Sequence, residues 1–141
     1  MPHMPFALLL SLGLSAAAFA QEAPRPPALA LELNAFQDAD AGCRVTFLAT
    51  NDLGGQLNRA AVEMALFGQS GAIDRIVTLD FKNLAPGKTK VLQFELAGLR
   101  CADVSRVLIN DIGTCDGEGI DPASCLSALV PTARPDVAFG V

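Results

Sequence analysis

The feature that most constrains this chain is a series of short segments in which apolar and polar residues alternate with a period of two. Leu29, Leu31 and Leu33 alternate with Glu32 and Asn34, and Cys43, Val45, Phe47 and Ala49 alternate with Arg44, Thr46 and Thr50. Val62, Met64 and Leu66 flank Glu63, and Leu92, Phe94 and Leu96 flank Gln93 and Glu95. In the run from Ile73 to Phe81, Val77, Leu79 and Phe81 share one parity and Ile76, Thr78 and Asp80 the other, while Arg75 interrupts the apolar parity and marks a bulge or an edge. Val107 and Ile109 oppose Arg106 and Asn110 in the run from Val104 to Ile112. Successive side chains of a strand point to opposite faces, so each run buries one face and wets the other. Glycine, proline, asparagine or aspartate bounds every run: Asp38–Gly42, Asn51–Asn58, Gly68–Gly71, Ala85–Gly87 and Gly98. The pattern predicts an all-β, antiparallel β-sandwich of about six to seven strands.

The character changes at Asp121. Its carboxylate suits a helix N-cap, and Pro122 suits the first helical position. Cys125, Leu126, Leu129 and Val130 fall at helical spacing, which predicts a short C-terminal helix of about two turns ended by Pro131. The tail from Thr132 to Val141 reads as a last strand, through Val137, Phe139 and Val141, or as a frayed end.

Residues 1–20, MPHMPFALLLSLGLSAAAFA, read as a signal peptide: a short apolar run, then small residues, then Ala18-Phe19-Ala20 as the cleavage site. The stretch is too short and wrongly flanked for a membrane span. It lacks a twin-arginine motif, so the general secretory route is expected. Residues 21–28 form a Pro-rich lead-in, and 29–141 form a single β-sandwich domain with a C-terminal disulfide loop and helix. The expected location is the periplasm or the outside of the cell, after cleavage near Ala20, with no membrane span in the mature chain. The net charge of −5 argues against nucleic acid, which calls for clustered lysine and arginine. Lys82, Lys88 and Lys90 are the closest cationic grouping and read as guards of a strand edge.

Cys43, Cys101, Cys115 and Cys125 are even in number and all lie beyond the leader, which predicts two disulfides among three arithmetic pairings. No two are close enough in sequence for a zinc ribbon. If successive strands alternate in direction, the second and sixth runs point the same way, and Cys43 and Cys101 meet at one end. Cys115 then lies beyond the sixth run, free to close a local loop with Cys125.

The only histidine is His3, inside the leader, and the chain has no Trp and no Tyr. Histidine-based nucleophilic catalysis and histidine-ligated metal sites are therefore not expected. No catalytic residue and no cofactor are assigned. The acidic segment with Asp111, Asp116, Glu118 and Asp121 is the one candidate for a calcium or small-ligand site, and a carboxylate-only enzyme is a third reading. The preferred reading is a non-enzymatic binding or accessory module that contacts another envelope protein. Its expected contact surfaces are the loop Asn51–Asn58 and the loop Cys115–Cys125. Without Trp or Tyr, contact must rest on Arg, Phe, Leu or strand pairing.

The segment Cys43–Asp111 resembles immunoglobulin-like modules of bacterial envelope proteins of the FxLYD-like group. The features that carry this are a strand ending in Asn51, a strand to Phe67, a turn at Gly71, and Leu84-Ala85-Pro86-Gly87-Lys88 before a strand with Phe94. The chain is also similar to small exported proteins of Gram-negative bacteria catalogued as Tat-signal-sequence domain proteins of unknown function. The resemblance implies a fold and a compartment and supplies no catalytic residue.

Overall fold

The computed structural model describes residues 1–2, 17–21 and 23–141. The leader expected over 1–20 falls mostly on residues 3–16, outside the described residues. Eight strands and one helix follow in order: β1 (Ala28–Ala39), β2 (Gly42–Asp52), β3 (Leu57–Gly68), β4 (Ile73–Leu84), β5 (Thr89–Ala97), β6 (Val104–Asp116), α1 (Pro122–Ser127), β7 (Leu129–Ala133) and β8 (Ala138–Gly140). They form two four-stranded sheets, β5-β2-β1-β7 and β4-β3-β6-β8. Among themselves the first six strands pair antiparallel. The first, second and fifth share one sheet and the third and sixth the other, the immunoglobulin-like winding, with β4 staying beside β3.

Two expectations are corrected at the C-terminus. The sandwich has eight strands, and it is not antiparallel throughout: β7 pairs parallel with β1, and β8 parallel with β6. Leu129 and Val130, expected in the helix, and Pro131, expected to end it, belong to β7. The reason is a ladder. Leu29 N–H donates to Ala128 O and Arg134 N–H donates to Leu33 O, so the even-numbered residues of this segment turn their backbone groups toward β1. Pro131 is odd, and its missing N–H falls on the open side, the one place in a sheet where proline costs no ladder bond. Pairing with β1 outweighed helical spacing, and α1 is left with six residues.

The apolar parities meet between the sheets. Leu29, Leu31 and Leu33 of β1, Val45 and Phe47 of β2, Val62, Met64 and Leu66 of β3, and Leu79 and Phe81 of β4 are all buried. Each such side chain contributes about 1.5–3 kcal/mol through the apolar surface it removes from water. Phe47 is the centre of an aromatic group, with ring centroids 5.6 Å from Phe81, 6.1 Å from Phe94 and 5.8 Å from Phe139. The buried residues of β6 are Val104, Val107, Ile109, Ile112 and Cys115. Their spacing is irregular because Ser105, Asn110 and Gly113 are bulged out of the pairing with β3. Each bulge adds one residue and resets the parity. At Gly42 a Cβ would run into the carbonyl oxygen of Leu96 on β5, so that strand contact needs glycine.

Both disulfides pair as the topology argued, Cys43–Cys101 and Cys115–Cys125. The first ties the start of β2 to the short turn before β6; the second ties the end of β6 to α1.

The interruption at Arg75 is both an edge and a bulge. β4 is the outer strand of its sheet, and Asp74 is extruded between the pairs Leu66↔Arg75 and Phe67↔Ile73. A second bulge, at Phe81, precedes Lys82, whose φ of 60° is left-handed. That conformation is held by Asp80, whose carboxylate accepts from the Lys82 N–H at 2.9 Å, the Lys82 ammonium at 3.0 Å and Arg59 Nε at 3.2 Å. The backbone N–H of Lys82 does most, ahead of its ammonium and Arg59, to lower the Asp80 pKa to about 2. A depressed carboxylate pKa stabilises the fold above the unfolded value and loses that contribution as pH falls through the folded one. Asp80→Asn is therefore expected to lower the melting temperature by a few °C at pH 6, with the gap mostly closed by about pH 2. Thermal melts of both proteins across this range check it; a gap independent of pH contradicts it.

Candidate functional site

The two loops singled out from the sequence lie side by side at one end of the sandwich, and one buried side chain organises the first. Asn51 is 0% exposed. Its Nδ2 donates to Gly55 O at 2.8 Å and Leu84 O at 2.9 Å, and its Oδ1 accepts from Leu53 N–H at 3.0 Å. Its own carbonyl accepts from Gly87 N–H at 2.7 Å. Asn51 thus knots the β2–β3 connection to the β4–β5 turn. The sequence reading placed it at the start of an exposed loop. The structure corrects this: β2 runs through Asp52, β3 begins at buried Leu57, and the exposed connection shrinks to residues 53–56. The available signal was an asparagine followed two residues later by an apolar residue and then Gly-Gly, the pattern of an Asx turn.

The second loop packs directly on the first. At Gly117 a Cβ would lie 2.5 Å from Gln56 O, so backbone meets backbone there and only glycine fits. Ile120 N–H donates to Gly117 O at 3.1 Å, closing a tight turn, and the Ile120 side chain lies beneath Gly55. α1 then starts with a capping box: Asp121 Oδ1 accepts from Ser124 N–H at 2.8 Å, and Ser124 Oγ accepts from Asp121 N–H at 3.0 Å. The Ser124 N–H first, and then the Ser124 hydroxyl, lower the Asp121 pKa. Around residues 53–56 lie shallow clefts: one of about 390 Å³ bounded by Pro27, Leu53, Ile120 and Ser124, and one of about 540 Å³ bounded by Gly54, Gln56, Asn58 and Glu118.

The four acidic candidates are not brought together. Asp111 and Asp116 stand on β6, since the strand extends four residues beyond the Ile112 end expected of that run. They are roughly 15 Å apart if the strand is extended between them. Asp111 faces Glu63 across the ladder and accepts from Ile112 N–H at 2.8 Å, Asp116 faces Arg59, and Asp121 is spent on the helix cap. Glu118 borders the cleft of about 540 Å³. Among the described residues no three His, Cys, Asp or Glu side chains converge at metal-binding range. No helix among them is long and apolar enough to cross a membrane.

Fold and site together define a doubly disulfide-bonded all-β sandwich that presents two interlocked loops at one end. No protein-family model, no curated protein and no solved structure matches the chain.

Proposed function

We propose that this protein is an exported binding or accessory module that works in the periplasm or outside the cell by contact with another envelope protein. The observation that carries the reading is the juxtaposition of the residue 53–56 loop and the Gly117–Ile120 turn. A rigid scaffold that positions exposed loops is how sandwiches build binding surfaces. Asn51 and the Cys115–Cys125 disulfide hold the two loops from either side, so little ordering cost is left for binding. The immunoglobulin-like resemblance, the signal-peptide pattern and the paired cysteines support the same reading of compartment and role.

The test is cross-linking capture from the exported protein fraction, with retained proteins identified by mass spectrometry. Asn58 and Glu118 are exposed on the rim of one cleft. The double variant Asn58→Arg, Glu118→Arg is expected to retain the specific partner at least about tenfold less, because one substitution adds and the other reverses a charge on the contact rim. Equal retention by both proteins, or nothing retained above a control sandwich, overturns the proposal.

A further inference from the structure

A four-stranded open sheet has two edges, and this sandwich guards its four edges unequally. β4 carries two bulges and the left-handed Lys82. β7 turns Pro131 outward, and β8 has three residues. β5 has none of these devices, and its one lysine, Lys90, expected from the sequence to guard an edge, is turned to the Asn83 carbonyl of β4 instead. It pairs with β2 residue for residue from Thr89 to Ala97 without a register shift.

The direction of its free backbone groups follows from one bond. Gly98 N–H donates to Ala41 O at 2.8 Å, which makes that opposed pair a hydrogen-bonded one. In an antiparallel ladder such pairs alternate. Residues 90, 92, 94 and 96 therefore bond to β2, and Thr89, Val91, Gln93, Glu95 and Ala97 turn their N–H and C=O groups outward. The Ala97 carbonyl is already used: it accepts from Arg75 Nη1 at 2.6 Å. At the other end Lys90 reaches from β5 to β4 and donates to Asn83 O at 2.9 Å. The open stretch is thus 89–95, and its midpoint is Leu92.

We propose that two copies of this chain join edge to edge through β5, antiparallel about Leu92, into one continuous eight-stranded sheet. The occupant is a second copy for three reasons. The other three edges of a copy are obstructed, so a head-to-tail pairing has no acceptor, whereas β5 against β5 closes as a two-fold dimer. The register about Leu92 sets Thr89 opposite Glu95 and Val91 opposite Gln93 of the second copy, which satisfies every open backbone group of the stretch. It also places no like charges opposite one another, and Glu95 is already paired with Arg44 within its own sheet. Val91, 63% exposed on the outer face, gains the second Val91 as its diagonal neighbour.

The test is the mass in solution of the chain purified from the exported fraction, measured by light scattering at roughly 100 µM, since dimers form by mass action. A dimer is expected, with the Val91 and Gln93 amides protected from hydrogen exchange. Val91→Pro removes an outward N–H without touching the β2 ladder, and Val91→Lys sets two ammonium groups on the diagonal; both are expected to be monomers with an unchanged circular dichroism spectrum. If the proline variant does not fold, the lysine variant decides. A monomeric wild type, or a dimer that both variants leave intact, overturns the proposal. The loop variant Asn58→Arg, Glu118→Arg is expected to stay dimeric, so the two readings fail separately.

Discussion

Replacing Cys43 and Cys101 together by alanine is expected to cost about 4 kcal/mol of stability, from the loop-closure entropy of a bridge whose ends are 58 residues apart. Domains of this size are stable by only about 5–15 kcal/mol, so the loss consumes a large share of the margin. Alanine is the right probe because Cys43 is fully buried, and serine there would bury an unpaired hydroxyl. Removing Cys115–Cys125, whose ends are 10 apart, is expected to cost at most about 3 kcal/mol and to loosen mainly α1 and the end of β6. Urea unfolding measures both. The first pair should also unfold with a steeper denaturant dependence, because its unfolded chain is no longer cross-linked and exposes more surface. A loss below about 1 kcal/mol for the Cys43, Cys101 double variant would contradict the loop-entropy account.

Asn51→Ala is expected to cost about 3 kcal/mol, although it removes a polar residue from an apolar core. The side chain serves two carbonyls, of Gly55 and Leu84, and one amide, of Leu53. Alanine leaves these groups without their partner, and buried polar groups without partners carry their full desolvation penalty. Asn51→Asp keeps the shape but points an oxygen at the Gly55 and Leu84 carbonyl oxygens, so at neutral pH it is expected to be at least as damaging. Thermal melts give the size of the effect, and hydrogen exchange at the Leu53 amide locates it. A melt unchanged by either substitution would mean that the knot does not hold the loop. Under the proposed function, both substitutions also weaken partner capture, because the residue 53–56 connection loses its anchor to the β4–β5 turn.

The strands were legible where alternation was uninterrupted. Leu29-Leu31-Leu33 and Cys43-Val45-Phe47-Ala49 are buried as their parity demanded. Arg75 announced its edge and bulge because a charge on an apolar parity has few other places to go. Ile112 was harder: it lies on the polar parity of its run and is buried only because Asn110 is bulged. Nothing local to β6 specifies that; the pairing with β3 does. Leu129 and Val130 were misplaced for a related reason. Their spacing suits a helix, and only the presence of β1 beside them makes a strand the better home. In the candidate site, the two loops could be named separately, but their contact at Gly117 and Gln56 O joins residues far apart in the chain.

What the sequence by itself determined about this protein is whatever depends on near neighbours: the period-two runs, the turns at glycine and proline, the Asp121 cap and the even set of cysteines. Their physics is local, set by side-chain direction, backbone sterics and hydrogen bonds across a few residues. The tertiary structure alone decided the parallel docking of β7 and β8, the bulges that reset β6, the burial of Asn51 and the free edge of β5. Each of these depends on which distant backbone group becomes a partner, and that choice is settled by competition across the whole sheet, where no residue's own neighbours record it.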